Sequence, residues 1–133
     1  MKKIFCYIIF SLFFIGSISS QELADQNFTI KVIEKNGDGR AESMPIDELI
    51  FKSGLICAEF SKKNGFSPST CTFIADSTSK SGALLFSSES YNLKKHTLKW
   101  SGKINGDKIT GKAQRYFFGK LAGEYIFTGS RKK

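Results

Sequence analysis

Residues that could perform acid–base chemistry are few and scattered in this sequence. His96 is the single histidine, and it directly follows two lysines with no acidic residue on its predicted face. Four glutamates that a fold could bring together lie on different segments of the chain: Glu48, Glu59, Glu89 and Glu124. There is no Gly-x-Ser-x-Gly elbow, no His-Glu-x-x-His motif and no glycine-rich phosphate loop. We therefore predict that the protein is not an enzyme and carries no cofactor, and that His96 is a solvated residue at a strand edge.

Two cysteines, Cys57 and Cys71, fall in the expected folded domain, and a third, Cys6, lies in an apolar N-terminal stretch. In an exported chain an even number of cysteines normally forms disulfides, so we predict a Cys57–Cys71 bridge. Closing a loop of about 15 residues would add about 3 kcal/mol of stability in the chain-entropy model. A metal or redox site is the alternative, but the sequence has no Cys-x-x-Cys motif, and Arg40 stands where the calcium-loop-like stretch Asn36–Gly39 would need a third ligand. We predict no metal site.

Four lysines flank the dipeptide Asn105-Gly106 in an alternating pattern: Lys99, Lys103, Lys108 and Lys112. If the chain reverses at this dipeptide, Lys99 faces Lys112 and Lys103 faces Lys108, which is mildly destabilising. Such a stripe would suit an anionic partner such as lipopolysaccharide, an acidic glycan or a nucleic acid. The alternative is a solvated outer face whose lysines discourage edge pairing between sheets.

Four aromatic residues, Phe86, Trp100, Tyr125 and Phe127, occupy positions that alternation assigns to the inner face of a sheet. Aromatic side chains that line a cavity can bind a small apolar or amphipathic ligand. The alternative is ordinary core packing, which requires the same residue types.

The stretch from Leu98 to Ala113 predicts a β-hairpin. Asn-Gly is the preferred pair for a two-residue type I′ turn, because both turn residues need a positive φ. Folding the stretch about Asn105-Gly106 places Trp100 opposite Gly111, Gly102 opposite Ile109 and Leu98 opposite Ala113. These residues then share the inner face, and the lysines lie on the outer one.

Other segments predict further strands because they are short, rich in β-branched and aromatic residues, and separated by turn residues. They are residues 28–34, 49–52, 55–60, 70–75, 83–86, the extension of the hairpin to 118, and 121–129. In the last of these, alternation puts Leu121 on the inner face with Tyr125. Only Ser43–Leu49 suits another structure, the first turn of a short helix that begins near Pro45.

About eight strands with regular turns predict an all-β fold, an antiparallel up-and-down meander closed as a small barrel, with a β-sandwich as the alternative. Closure removes the exposed edges on which exported β-proteins aggregate. Residues 21–133 are one domain by length. A barrel of this size is either filled by side chains or holds one small ligand, and the sequence is compatible with both.

The N-terminus predicts export. Met1-Lys2-Lys3 precedes an apolar stretch from Ile4 to Ile15, and small residues follow as far as Ser20, which is the pattern of a signal peptide over residues 1–20. The apolar stretch is shorter than the roughly 20 residues of a spanning helix, so we predict no membrane span after processing. The net charge of +8 would fall to +6 without the two leader lysines. That charge suits weak attraction to anionic surfaces, and without dense arginine clusters we predict no specific nucleic-acid partner.

The sequence resembles a group of small exported bacterial proteins of unknown function. The resemblance lies in Phe51-Lys52-Ser53-Gly54, Gly65-Phe66, Phe86 and the pattern Trp-x-Gly-x-Ile-x-Gly-Asp-x-Ile-x-Gly from Trp100 to Gly111. It implies bacterial export to the periplasm or the medium and a lipocalin-like or related barrel, and it implies no catalytic residue.

Together these features predict an exported, non-enzymatic β-barrel that binds a small apolar or amphipathic ligand or acts as an accessory module of the cell envelope. The second hypothesis is a surface-interaction protein that binds an anionic polymer or envelope component through the lysine stripe. The sequence does not predict an oligomeric state.

Overall fold

The computed structural model describes residues 25–80 and 82–132. Nine strands and one short helix account for most of this part of the chain: β1 Asp25–Asn36, β2 Ala41–Ser43, β3 Asp47–Lys52, β4 Leu55–Ala58, α1 Glu59–Lys63, β5 Ser69–Ala75, β6 Leu84–Tyr91, β7 His96–Asn105, β8 Lys108–Phe117 and β9 Lys120–Arg131. The predicted leader, residues 1–20, lies outside the described residues. Within those residues, no helix is long and apolar enough to cross a bilayer.

The strands form a closed antiparallel barrel, which confirms the predicted fold class and excludes the sandwich. From β3 to β9 each strand pairs with the next along the chain, and β9 returns to pair with β1 over nine residue pairs. The two strands β2 and β3 both pair with β1, at residues 33–35 and 25–30 respectively. Eight strands therefore close the barrel, and β2 is the additional one.

The helix expected near Pro45 is absent, because this segment pairs with β1 instead. Asp47–Lys52 alternates so that Leu49 and Phe51 are buried, and burial of these apolar side chains favours the strand. The described helix is α1, in a segment that the sequence analysis divided between a strand and a loop. The Asp47 carboxylate accepts hydrogen bonds from the backbone N–H groups of Glu59 at 3.1 Å and Phe60 at 3.0 Å. These are N–H groups that the first turn of a helix leaves without a partner.

The β7–β8 hairpin forms with a different register from the predicted one. Its turn residues are Gly106 and Asp107, and Asn105 pairs with Lys108. Of these turn residues only Gly106 has a positive φ, +63°, so the turn is of type II′ with glycine first, and not type I′. Trp100 therefore faces Ala113, Gly102 faces Gly111 and Leu98 faces Arg115.

This correction moves each partner by two residues, so every side chain keeps its predicted face. Leu98, Trp100, Ile104, Ile109 and Ala113 are all buried. In the observed register none of the four lysines faces another across the ladder: Lys99 faces Gln114, Lys103 faces Thr110, Lys108 faces Asn105 and Lys112 faces Ser101. The expected like-charge pairs are therefore wrong.

A β-bulge near the start of β9 changes the face of Leu121. Arg115 pairs with Gly123 and Tyr116 with Leu121, which leaves Ala122 as an extra residue. The extra residue inverts the alternation, so Leu121 is 50% exposed although Tyr125 and Phe127 are buried. The prediction that Leu121 shares their inner face is wrong.

The predicted disulfide does not form: Cys57 and Cys71 are free. On β4 the buried side chains are Ile56 and Ala58, so Cys57 between them points outward. On β5, Cys71 is buried with Phe73 and points inward. A bridge requires side chains directed toward each other, and these two lie on opposite faces of the barrel wall.

Candidate functional site

The predicted aromatic set is brought together inside the barrel. Phe86, Trp100, Tyr125 and Phe127 are each at most 2% exposed. The Phe127 ring centroid lies 6.2 Å from that of Trp100 and 6.5 Å from that of Phe86. These contacts are those of ordinary core packing, the alternative prediction for this set.

Phe60 of α1, which the sequence analysis did not select, fills the space beside this set. Its ring stacks on Tyr125 with a centroid separation of 4.6 Å and lies 5.3 Å from the Trp100 centroid. The ring is 2% exposed. A side chain of the protein itself thus occupies the position against Trp100 and Tyr125 where an apolar ligand would pack, and α1 closes this end of the barrel.

The predicted lysine set lies on the outer wall, where two of its members are paired with carboxylates. Lys99 is 3.9 Å from Glu89, and its ammonium nitrogen lies 5.1 Å from the Tyr116 ring centroid. Lys103 is 3.4 Å from Asp76. The pKa of Asp76 is lowered, mainly by hydrogen bonds from Thr78, with a smaller contribution from Lys103.

Lys108 and Lys112 form no ion pair within the described part of the chain. Compensation of the other two lysines makes the stripe a weaker anion site than its sequence suggested.

Four connections meet at the end of the barrel that α1 closes, which we call the helix end. They are the β1–β2 turn (residues 37–40), the segment after α1 (Asn64, Gly65), the β6–β7 turn (92–95) and the β8–β9 turn (118–119). The antiparallel register places them together, since Asn36 pairs with Gly123 and His96 with Phe117. The Asn92 amide also donates to the Asn64 carbonyl oxygen at 2.9 Å.

Large apolar side chains are exposed at this end. Leu93 at the β6–β7 turn is completely exposed, and Phe118 at the β8–β9 turn is 75% exposed. Tyr91, Phe117 and Leu121 beside them are 63%, 40% and 50% exposed. Rings connect the two turns, because Phe117 stacks on His96 at 4.6 Å and lies 4.4 Å from Phe118. Several exposed apolar side chains at one end of a fold mark an interaction site more often than a single exposed residue does.

Phe118 is held in an uncommon backbone conformation. Its φ is +49° and that of Gly119 is +77°, which gives a type I′ turn at β8–β9. Asparagine and glycine are the usual residues at the first position of such a turn, and a bulky side chain there costs of the order of 1–3 kcal/mol. The turn therefore exposes an aromatic ring at a position where a small polar residue would be more stable.

A concavity of about 460 Å³ opens beside these turns and is lined by Lys63, Asn64, Gly65, Asn92, Leu93, Lys94, His96 and Arg115. His96 and Arg115 continue the inward alternation of Leu98 on β7 and Ala113 on β8, so they form the mouth of the barrel. The described lining residues include three cationic side chains and no carboxylate.

Arg115 and His96 are in direct contact at this mouth. The Arg115 Nη1 atom is 3.3 Å from His96 Nδ1, and the Arg115 Nε atom is buried without a hydrogen-bond partner. Partial burial lowers the pKa of His96 from its usual value, and the charges of Arg115 and Lys94 lower it further. The lowered pKa favours the neutral imidazole, and because a guanidinium can only donate, His96 Nδ1 accepts from Arg115.

The glutamates named in the sequence analysis do not converge. Glu48 accepts from Asn27 and pairs with Lys132, Glu59 pairs with Lys62, Glu89 with Lys99, and Glu124 accepts from Gln114. Each therefore has its own partner on a different part of the wall. Among the described residues, no group of three or more His, Cys, Asp and Glu side chains could hold a metal ion.

The helix end was not predicted from the sequence, although a local signal was present. Leu93-Lys94-Lys95-His96 and Phe117-Phe118-Gly119-Lys120 both combine exposed apolar residues with cations at a turn. Only the barrel closure shows that the two turns are neighbours. Comparisons with protein-family models, curated proteins and solved structures find no match to this chain.

Proposed function

We propose that the protein is an exported, non-enzymatic accessory module of the cell envelope that docks its helix end on an anionic phospholipid surface. The observation that carries this proposal is that Leu93 and Phe118 are exposed apolar side chains on two neighbouring turns, and that each turn also carries cations. An anionic bilayer has an apolar interior into which such side chains can insert, and a negatively charged surface that attracts the cations around them.

The charge at the helix end supports an anionic partner. Lys94, Lys95 and Lys120 adjoin the exposed apolar residues, and none of them forms an ion pair within residues 25–80 and 82–132. Two carboxylates on the nearby segments are paired, Asp38 with Arg40 at 2.8 Å and Glu59 with Lys62 at 3.9 Å. Glu34 and Glu42, which face each other across β1 and β2, form no ion pair with the described residues. Each lysine near an anionic membrane surface contributes about 1 kcal/mol of attraction.

The proposal includes export, because the predicted leader would direct the protein to the cell envelope, where anionic phospholipid surfaces are present. The periplasm and the external medium both fit the leader. The resemblance to small exported bacterial proteins points in the same direction.

Co-sedimentation of the full chain with lipid vesicles tests the proposal. We expect binding to vesicles that contain phosphatidylglycerol, weak or no binding to phosphatidylcholine vesicles, and loss of binding as sodium chloride is raised. The double variant Leu93→Ser/Phe118→Ser should reduce binding by about tenfold or more, since each side chain buries apolar surface worth about 1.5–3 kcal/mol when fully inserted.

The matched control is Ile74→Ser/Leu85→Ser, which removes an exposed apolar pair from the barrel wall. It should bind vesicles as the wild type does. Equal loss in both double variants, or equal binding to neutral and anionic vesicles, would reject docking by the helix end.

A further inference from the structure

We infer that the mouth of the barrel at the helix end is a binding site for a phosphoryl group, held by Arg115, His96, Lys63 and Lys94. This inference rests on the proposed function in that the lipid headgroup is one source of the phosphoryl group, and free phosphate is the other. It assigns to the concavity a role separate from that of the exposed Phe118, which does not line it.

The charge of the lining supports an anionic ligand. Lys63, Lys94 and Arg115 contribute three positive charges to a concavity of about 460 Å³, which exceeds the volume of a phosphoryl group. Glu34 continues the inward alternation of Ile30 and Val32, so it also lies at this end of the barrel, although it does not line the concavity. Burial and the Glu34 carboxylate raise the pKa of the Tyr125 phenol, and Arg115 lowers it. A site with cations on several sides and no lining carboxylate concentrates anions.

Arg115 provides the donors that such a ligand needs. Its guanidinium lines the concavity, and Nη1 donates to His96 Nδ1. The Nε atom is buried without a hydrogen-bond partner and is not exposed to the concavity, so the Nη atoms are the donors that a ligand can reach. Guanidinium groups match phosphoryl oxygens in a bidentate manner. An anion that accepts hydrogen bonds from Arg115 would account for keeping this side chain at the barrel mouth.

His96 is oriented for the same task. Its Nδ1 atom lies 3.3 Å from Arg115 Nη1 and accepts from it, which assigns the proton of the neutral ring to Nε2. An Nε2–H group can donate to a phosphoryl oxygen. Stacking on Phe117 holds the imidazole plane, with 25° between the two rings.

The wall of the site is fixed by hydrogen bonds. Asn92 Oδ1 accepts from the backbone N–H groups of Lys94 and His96, both at 3.0 Å, and Asn92 Nδ2 donates to the Asn64 carbonyl oxygen. The β6–β7 turn is thereby attached to the segment after α1. A site already held in shape loses less conformational freedom on binding.

A titration of the full chain, followed by backbone amide chemical shifts, tests the inference with two probes. Inorganic phosphate probes the free anion, and a short-chain phosphatidylglycerol below its micelle concentration probes the headgroup. We expect shifts at Lys63, Lys94, His96 and Arg115 with both probes, and tighter binding of the lipid if the headgroup is the natural source.

Two variants with the same charge change decide the site. Lys63→Gln/Lys94→Gln should weaken phosphate binding about tenfold, whereas Lys108→Gln/Lys112→Gln on the outer wall should leave it within about twofold. Arg115→Gln should weaken it further, with Trp100 fluorescence reporting that the variant is folded. No shifts with either probe, or equal weakening by both lysine pairs, would overturn the inference.

The proposed docking and this site can fail separately. Phe118→Ser alone should weaken vesicle binding but retain the phosphate titration, because Phe118 does not line the concavity. If vesicles do not bind and phosphate does, docking is rejected and the anion site stands. If vesicles bind and phosphate binds nowhere at the mouth, the anion site is rejected and docking stands.

Discussion

Gly102 on β7 lies directly opposite Gly111 on β8, and the rings of Phe86 and Phe127 pack over Gly102 and Gly111 respectively, in the space that the missing side chains leave. A Cβ atom on Gly102 would lie 2.5 Å from Phe86 Cζ and from the Thr110 carbonyl oxygen. One on Gly111 would lie 2.6 Å from the Ser101 carbonyl oxygen. Neither glycine has a positive φ, so packing and not backbone conformation requires them.

We expect Gly102→Ala and Gly111→Ala each to lower the free energy of unfolding by about 1–3 kcal/mol, because the added methyl group displaces backbone and ring atoms. Urea unfolding measures the change. Gly37→Ala is the control, since its Cβ would make an ordinary contact of 3.5 Å with the Ala122 carbonyl oxygen. A Gly102→Ala variant as stable as the wild type would contradict this packing.

Asp47→Ala should lower the free energy of unfolding by about 1–2 kcal/mol, because α1 loses the carboxylate that accepts from Glu59 and Phe60. Phe60 packs on Trp100, so the near-ultraviolet circular dichroism should also change. Asp38→Ala is the control: Asp38 is an exposed carboxylate in a surface pair with Arg40, and such pairs contribute at most about 1 kcal/mol. Equal effects of the two substitutions would argue against capping by Asp47.

The two described thiols should differ in reactivity. Burial raises the pKa of Cys71 to about 12 and also raises the pKa of the half-buried Cys57. Since the thiolate is the reactive form, alkylation of the native protein should modify Cys57 faster than Cys71, as measured by peptide mass spectrometry. Recovery of a Cys57–Cys71 linked peptide without denaturation would contradict the structure.

The same burial predicts a loss of stability at alkaline pH. The Cys71 pKa of about 12 lies above the reference value of 9.0, so the unfolded chain releases its proton first. The stability that comes from keeping the Cys71 thiol neutral is complete below pH 9 and declines as the pH rises toward 12. Cys71→Ser should flatten the decline in a pH series of urea unfolding curves, and an unchanged slope would reject the assignment.

Sulfate binding at the barrel mouth should strengthen as the pH falls below about 6.5, the usual pKa of histidine. Burial lowers the pKa of His96, and the charges of Arg115 and Lys94 lower it further. Lys63 and the inward-facing Glu34 are the other charged groups at this mouth. A bound anion offsets that repulsion and favours the protonated ring, so proton and anion binding reinforce each other. Sulfate keeps its charge over this range, and His96→Gln should remove the pH dependence seen in the amide titration.

The fluorescence of Trp100 can distinguish binding at the mouth from binding in the interior, where the predicted apolar-ligand site would lie. The indole is 2% exposed and donates to Ser90 Oγ at 3.3 Å. Its fluorescence should be protected from acrylamide and should not change when vesicles or phosphate bind. A large spectral change with an apolar ligand would require displacement of Phe60 and would favour the interior site.

Much of the barrel was predictable because strand alternation is a local property. The side chains of Leu98, Trp100, Ile104 and Ile109 point inward whichever register the hairpin adopts, since a two-residue shift preserves the face. The register itself was not predictable, because Asn105-Gly106 and Gly106-Asp107 are both acceptable turns and contacts with other strands select one of them. The disulfide prediction failed for a related reason, since chain spacing does not report the face on which each cysteine lies.

The sequence by itself determined the strand-rich pattern, the inward aromatic residues and the cationic character of the chain. Only the tertiary structure decided that Asp47 caps α1, that Phe60 fills the interior, and that Leu93 and Phe118 share one end with Arg115 and His96. Alternation acts between neighbouring residues, whereas these relationships depend on closure of β9 onto β1 and on contacts between distant segments. The candidate site belongs to the second group, because no single segment contains it.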